Sequence, residues 1–188
     1  PSDRKLKISG LGKRGSTPFA AKVQKKVFTM GMIDGASSGE IRKQLKRSFE
    51  DLLMGRVSND DLVHSTSLSK PIENYPTEGP HVRAAKQLRF AGADVEVGDR
   101  VKYFFCNFDQ SRNVKKADLA VAADLLGDRQ LDYLTYADET HQMLSGTVLA
   151  FVDGETESEK LVGLKSIVYD NPRLDSPNYS APATVERV

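Results

Sequence analysis

Two helix starts within the first forty residues constrain this chain more than any other feature. Thr17-Pro18 pairs a hydroxyl cap with proline at the first helical position, where its missing N–H is no loss. Ser37, with Glu40 three residues on, has the pattern of a capping box. Behind each start, apolar residues recur at helical spacing. Phe19, Val23, Val27 and Met30 share one face of a helix predicted from Pro18 to about Met32. Ile41, Leu45, Phe49 and Leu52 share one face of a second, predicted to run to about Met54, with Gly55 placed to end it. Asp34-Gly-Ala-Ser-Ser-Gly39 breaks the first helix, and two adjacent amphipathic helices joined by so short a loop are predicted to form a helical hairpin.

The other faces of this hairpin are basic. Lys22 and Lys25 flank the apolar stripe of the first helix, with Lys26 between the two faces. Arg42, Lys43, Lys46 and Arg47 lie on the outer side of the second. Residues 1–56 carry 13 Lys/Arg against 5 Asp/Glu. Residues 1–116 carry 22 against 13, and residues 117–188 carry 5 against 13. A net charge of +1 hides this division. A basic region suits a polyanionic partner, of which nucleic acid is the usual one, although the same lysines also serve simply to solvate a surface.

No apolar run approaches the length of a transmembrane helix, and the first residues lack the apolar core of a signal peptide. A single cysteine, Cys106, excludes an internal disulfide framework and fits a reducing compartment. The expectation is a cytoplasmic protein with no membrane association.

Along the rest of the chain, Lys5-Leu-Lys-Ile8 alternates like a short strand, and Gly10-Leu-Gly-Lys-Arg-Gly15 is a turn-rich link. That link lacks the Lys-Ser/Thr ending of a nucleotide-binding glycine loop. Ser58-Asn-Asp-Asp61 reads as a turn and Leu62-Val63-His64 as extended. A polar segment, Ser65-Thr-Ser-Leu-Ser-Lys70, then leads to a helix opening at Pro80-His81 and ending near Gly92. Its hydroxyls, Lys70 and the helix N-terminus beside His81 are all donors suited to phosphate. Ala84, Ala85, Leu88 and Ala91 form a small-residue face for close packing, with Arg83 and Lys86 pointing elsewhere. Val97-Gly-Asp-Arg100 is a turn, and Val101 to Phe108 is the clearest strand, with Cys106 inside it as a core residue rather than a nucleophile. Ala117 to Leu126 is predicted helical, and Leu131 to Tyr136 leads into a last helix reaching about Val152. The remainder is acidic from Glu155 to Glu159 and then rich in Pro and Ser, read as a poorly ordered tail. The fold class expected is α+β, mostly helical, with a short N-terminal strand and a small β element.

Taken in order, these segments resemble the C-terminal part of family B DNA polymerases, the end of the palm and the thumb. Lys7-Ile-Ser-Gly-Leu11 through Arg14, then Thr17-Pro18-Phe19, is similar to the strand-to-thumb crossover. Ser67-Leu-Ser-Lys70 with Tyr75 resembles the family's Leu-(Ser/Thr)-(Lys/Arg) block and following tyrosine. Gly79-Pro-His-Val82 with Ala85-Lys86 resembles its Pro-His-Val-x-x-Ala helix. Val97-Gly-Asp-Arg-Val101 into Tyr103 is similar to its Gly-Asp-x-(Ile/Val)-x-Tyr turn and strand. Leu131-Asp-Tyr133 with Tyr136 and Gln142 is a fifth, weaker block. The resemblance covers roughly residues 4–152 and departs from the pattern at Arg14-Gly-Ser-Thr17, where many members carry an aspartate after the arginine.

The resemblance implies a palm-edge strand and crossover at 1–16, a thumb domain at 17–154 and a separate acidic tail at 155–188. It also implies a grip on primer-template duplex through phosphates and the minor groove. Lys70 and His81 come first, with Ser67, Ser69, Arg83 and Lys86 around them, and Arg14, Lys22, Lys25 and Lys26 second. The family's paired palm aspartates, which hold two metal ions for nucleotidyl transfer, have no counterpart here, nor has its Lys-Lys-x-Tyr block. Asp60-Asp61 and Glu50-Asp51 read as caps or surface. His64 and His141 have no neighbours in the sequence that suggest a metal. The expectation is therefore a thumb without a palm, inactive alone and holding no cofactor. It fits the small subunit of a split polymerase, as known in some archaea, whose large subunit carries the Mg2+, the palm and the exonuclease. Pro1-Ser2 reads like a start from which methionine has been removed. Leu6, Lys7 and Ile8 would then pair with the large subunit as an added strand. A sliding clamp is the least supported partner, because the tail holds no suitable glutamine before an apolar-aromatic cluster. A free-standing nucleic-acid-binding protein and an excised thumb fragment are the alternatives.

Overall fold

The computed structural model describes residues 16–106 and 115–148. The expectations placed on Arg14, on Leu6 to Ile8, on Leu149 to Val152 and on the 155–188 tail lie outside them. The helical hairpin is present as read. Helix α1 spans Pro18–Met32, and Thr17 caps it by accepting the Ala20 N–H at 3.3 Å. Helix α2 spans Ser38–Leu53. At its start Glu40 Oε2 accepts the Ser37 N–H at 2.8 Å while Ser37 Oγ accepts the Glu40 N–H at 3.3 Å, a complete capping box. The backbone and side-chain bonds from Ser37 hold the Glu40 carboxyl below its ordinary range. Gly55 ends α2 in the left-handed region, with φ +66°, and a Cβ there would come 3.1 Å from Tyr133 Oη, so no other residue fits without a shift.

The stripes predicted to face inward do so. Phe19, Val23, Val27, Ile41, Leu45, Phe49 and Leu52 are buried, and Met30 packs half-buried against them. The last helix, α6 (Tyr133–Val148), completes this helical layer by packing on α1 and α2.

The second layer is a three-stranded antiparallel sheet in the order β1-β2-β3, covered by a helix. Strand β1 spans His64–Ser67 and β2 spans Arg100–Phe105, with His64 opposite Tyr103 and Ser67 opposite Arg100. The expectation of a turn at 58–61 followed by an extended Leu62 is corrected. Asn59–Leu62 forms one helical turn, α3, capped by Ser58, whose Oγ accepts the Asp60 N–H at 3.2 Å. Extended structure begins only after Leu62, which is buried.

Helix α4 (Pro80–Phe90) lies on the sheet through Val82, Ala84 and Ala85, all buried. Their small side chains let helix and sheet approach closely. Ala91, expected on this face, is exposed because the helix has ended one residue earlier.

The stretch predicted helical from Ala117 to Leu126 is the main correction. It divides into a short helix α5 (Lys116–Leu119), a strand β3 (Ala120–Ala122) and a 3-10 turn at Ala123–Leu125. Ala120, Val121 and Ala122 pair with Phe105, Phe104 and Tyr103. Intrinsic propensity favours helix for such alanine-rich sequence, and the open edge of β2 overrides it. The outer edge of β3 is closed by a side chain. Gln87 of α4 donates to Ala120 O and accepts the Ala122 N–H, both at 2.9 Å, imitating a neighbouring strand.

Cys106 is buried and bridges to Leu131, and burial pushes its thiol pKa up to about 11, which agrees with a core residue. Tyr136 joins sheet to helical layer: its Oη accepts the Phe105 N–H at 2.9 Å.

Candidate nucleic-acid interface

The link from β1 to α4 and its two ends carry four of the predicted site residues, Ser67, Ser69, Lys70 and His81, and one tyrosine gathers three of them. Leu68 is buried while Ser67 and Ser69 on either side are exposed, the alternation of extended chain over a core. Ile72, buried in a 3-10 turn at Ile72–Asn74, anchors the chain again and brings Tyr75 back toward Ser69. Tyr75 Oη accepts the Ser69 N–H at 2.9 Å and lies 3.3 Å from Ser69 Oγ. Lys70 Nζ stands 4.9 Å from the centre of the Tyr75 ring, a cation–π contact. His81 meets the same ring edge-on, with centroids 5.4 Å apart and an interplanar angle of 80°. Tyr75 is thus the hub on which Ser69, Lys70 and His81 converge. The bond from Ser69 is the first cause, and the Lys70 charge a further one, that holds the Tyr75 phenol below its ordinary value.

His81 is the second residue of α4. Gly79 precedes the helix and offers no side-chain cap, and Pro80 has no N–H to offer. A Cβ at Gly79 would come 3.3 Å from the His81 ring, so the glycine gives the imidazole its place. Partial burial holds the His81 pKa below its ordinary 6.5. At neutral pH the ring is therefore a neutral donor and acceptor, suited to hydrogen bonding rather than to a fixed charge.

The remaining predicted residues are placed differently. Arg83 lies 2.9 Å from Asp118 and 3.5 Å from Glu78, and Lys86 pairs with Glu78. Both are engaged in ion pairs on the side of α4 that faces α5. Lys22 is held by Asp61 at 2.6 Å, which ties α1 to α3. Lys25 and Lys26 are exposed on α1, in the helical layer, apart from the Tyr75 cluster on β1 and α4. The carboxylate partners Glu78, Asp118 and Asp61 went unforeseen, because they come from positions up to 39 residues away.

Sequence reading also missed the buried pair behind β1. His64 Nε2 lies 3.0 Å from Glu139 Oε2, and His64 stacks on Tyr103 and Tyr136. Burial acts to raise the Glu139 pKa, but His64 and then Lys116 outweigh it and hold the carboxyl below the ordinary range. Among the described residues no group of three or more His, Cys, Asp or Glu is placed to hold a metal ion. No described helix is long and apolar enough to cross a membrane.

A small antiparallel sheet under a Pro-His-Val helix, packed on three helices, with a polar extended link leading into that helix, is the architecture that comparison with known proteins recognises. The family model for DNA polymerase family B matches residues 7–148. The chain belongs to that family, a family of DNA polymerases. A DNA polymerase of Methanocaldococcus jannaschii is 30% identical over 101 residues, which cover 53% of this chain and 6% of that protein. The structure of the family B DNA polymerase from the hyperthermophilic archaeon Pyrobaculum calidifontis superposes with a TM-score of 0.60 at 23% identity. It covers 76% of this chain, which in turn spans 18% of that one, and the likeness shows a shared fold.

Proposed function

We propose that this chain is the thumb of a family B DNA polymerase, working as the non-catalytic subunit of a split enzyme. In this reading it grips primer-template duplex behind the growing end, independently of sequence, while a larger chain supplies the palm, its Mg2+ and the exonuclease. The observation that carries the reading is the convergence of Ser69, Lys70 and His81 on Tyr75, beside exposed Ser67. A lysine, two hydroxyls and a neutral imidazole on one surface are phosphate donors with no feature that reads a base edge. Lys70 supplies the charge, and Ser67, Ser69 and His81 supply hydrogen bonds. Arg83 and Lys86 serve by orienting α4 through Glu78 and Asp118, with their charge partly spent there. Lys22 is likewise spent on Asp61, which leaves Lys25 and Lys26 as the cations of α1 available to DNA. Arg14, and docking through Leu6, Lys7 and Ile8, remain part of the proposal.

The test is duplex binding measured against salt. Lys70→Ala should weaken binding to a similar degree for unrelated DNA sequences and lower the salt slope by about one. No change in either would remove Lys70 from the site. Primer extension by a co-purified larger chain, with and without this one, tests the subunit reading. A chain that purifies alone and binds DNA alone is instead a free-standing nucleic-acid-binding protein or a thumb fragment.

A further inference from the structure

Helix α2 carries a stripe of cations that the Tyr75 cluster does not use. Lys43, Lys46 and Arg47 are exposed, and Arg42 is half-buried beside them. The opposite face of α2 is buried through Ile41, Leu45 and Phe49, so the helix cannot rotate to hide or redistribute the charge.

Several cations of the described surface are matched by a carboxylate: Lys22, Arg56, Arg83, Lys86, Arg89 and Lys116. Among the described residues no carboxylate pairs with Lys43, Lys46 or Arg47. The acids of α2 are Glu40 in its first turn and Glu50 and Asp51 in its last, and Glu50, one turn from Lys46, forms no ion pair with the stripe. Glu40 is bonded to Ser37, and Asp51 lies 3.4 Å from Arg56. Arg42 with Lys46, and Lys43 with Arg47, are like charges four residues apart, an arrangement that costs about 0.2–0.5 kcal/mol per pair in an isolated helix.

We infer that the α2 stripe is a second contact for the phosphate backbone of duplex DNA, distinct from the Tyr75 cluster. The inference rests on the DNA-binding reading above and extends it to residues outside that site. The two surfaces belong to different layers: α2 packs on α1 and α6, whereas the cluster is built on β1, the Ile72–Asn74 turn and α4. Lys43 and Arg47 stand one helical turn apart, about 6 Å along the axis. They present a row of charge rather than a pocket, which suits a continuous polyanion and not a single phosphate. The stripe contributes affinity without sequence preference, through counterion release.

The test compares four full-length chains on one duplex of ~30 base pairs across a salt series: unaltered, K43Q/K46Q/R47Q, Lys70→Ala and R56Q/K116Q. The last removes cations that already have carboxylate partners. Thermal melting checks that each is folded. The stripe variant should lower the salt slope by about two to three and weaken binding at least tenfold at low salt. R56Q/K116Q should lower the slope by well under one per charge removed. A stripe variant whose loss per charge is no greater than that of R56Q/K116Q overturns the inference, whatever Lys70→Ala does. A stripe variant that loses binding while Lys70→Ala does not upholds the stripe and removes the Tyr75 cluster instead.

Discussion

The Tyr75 hydroxyl accepts the Ser69 N–H at 2.9 Å, across six residues of chain. This bond closes the link between β1 and α4 into a loop and sets where Lys70 stands. A backbone donor exposed at a strand end would otherwise go to water and leave Ser69 and Lys70 to sample many positions. The ring beneath them also seats His81, so one side chain aligns groups from the link and from the helix.

Tyr75→Phe separates these roles. The ring contacts with Lys70 and His81 survive, and the hydroxyl acceptor is lost. We expect duplex binding to weaken by about threefold, the low end of what one hydrogen bond contributes, with faster amide exchange at Ser69. Tyr75→Ala should weaken it more, since Lys70 and His81 then lose their common support. Equal binding by Tyr75→Phe and the unaltered chain would show that the hydroxyl does not order the loop for DNA.

His81 should link DNA binding to pH. Its pKa in the folded chain lies below the ordinary 6.5, through burial. The unfolded chain therefore binds more protons, and folding stability declines as pH falls below 6.5 through the folded value. A phosphate against the imidazole favours the charged form, so the pKa should rise on binding and DNA affinity should increase from pH 8 to pH 6. NMR titration of the ring, free and DNA-bound, measures both, and His81→Gln should remove the pH slope that His81 contributes. A bound-state pKa no higher than the free one would place the phosphates elsewhere.

Gln87 should matter for stability and not for the Tyr75 site. Gln87→Leu leaves Ala120 O and the Ala122 N–H without their partner at the edge of β3. The expected loss is about 2 kcal/mol, the cost of buried backbone groups left unsatisfied. Gln87→Glu keeps the acceptor and loses the donor, and should fall between. Urea unfolding measures the loss, while duplex affinity below the transition should stay unchanged.

The helical half of this fold was legible in the residues themselves. Thr17-Pro18 and Ser37 with Glu40 name their own helices, because a cap bonds to an N–H three residues away. The buried faces of α1 and α2 follow from spacing alone. The Tyr75 cluster was half legible: Ser69, Lys70 and His81 were each named as phosphate donors, and Tyr75 only as the tyrosine that follows Lys70 in the family's block. That a single ring collects them depends on the buried anchors Leu68 and Ile72, which fold the link back on itself.

What the sequence by itself determined is whatever the chain settles within about one helical turn or one strand: caps, helix faces, the β2 strand and the donor groups of the link. The tertiary structure alone decided the rest. It turned Ala120–Ala122 from helix to strand, because β2 offered an unpaired edge. It set Gln87 against that strand 33 residues away, and Arg83 against Asp118 across 35. It left Lys70 without a carboxylate partner among the described residues, as it left Lys43, Lys46 and Arg47. The physical reason is range. Capping and side-chain periodicity act between near neighbours in the chain, whereas edge pairing and charge matching act between surfaces that exist only once the layers have packed.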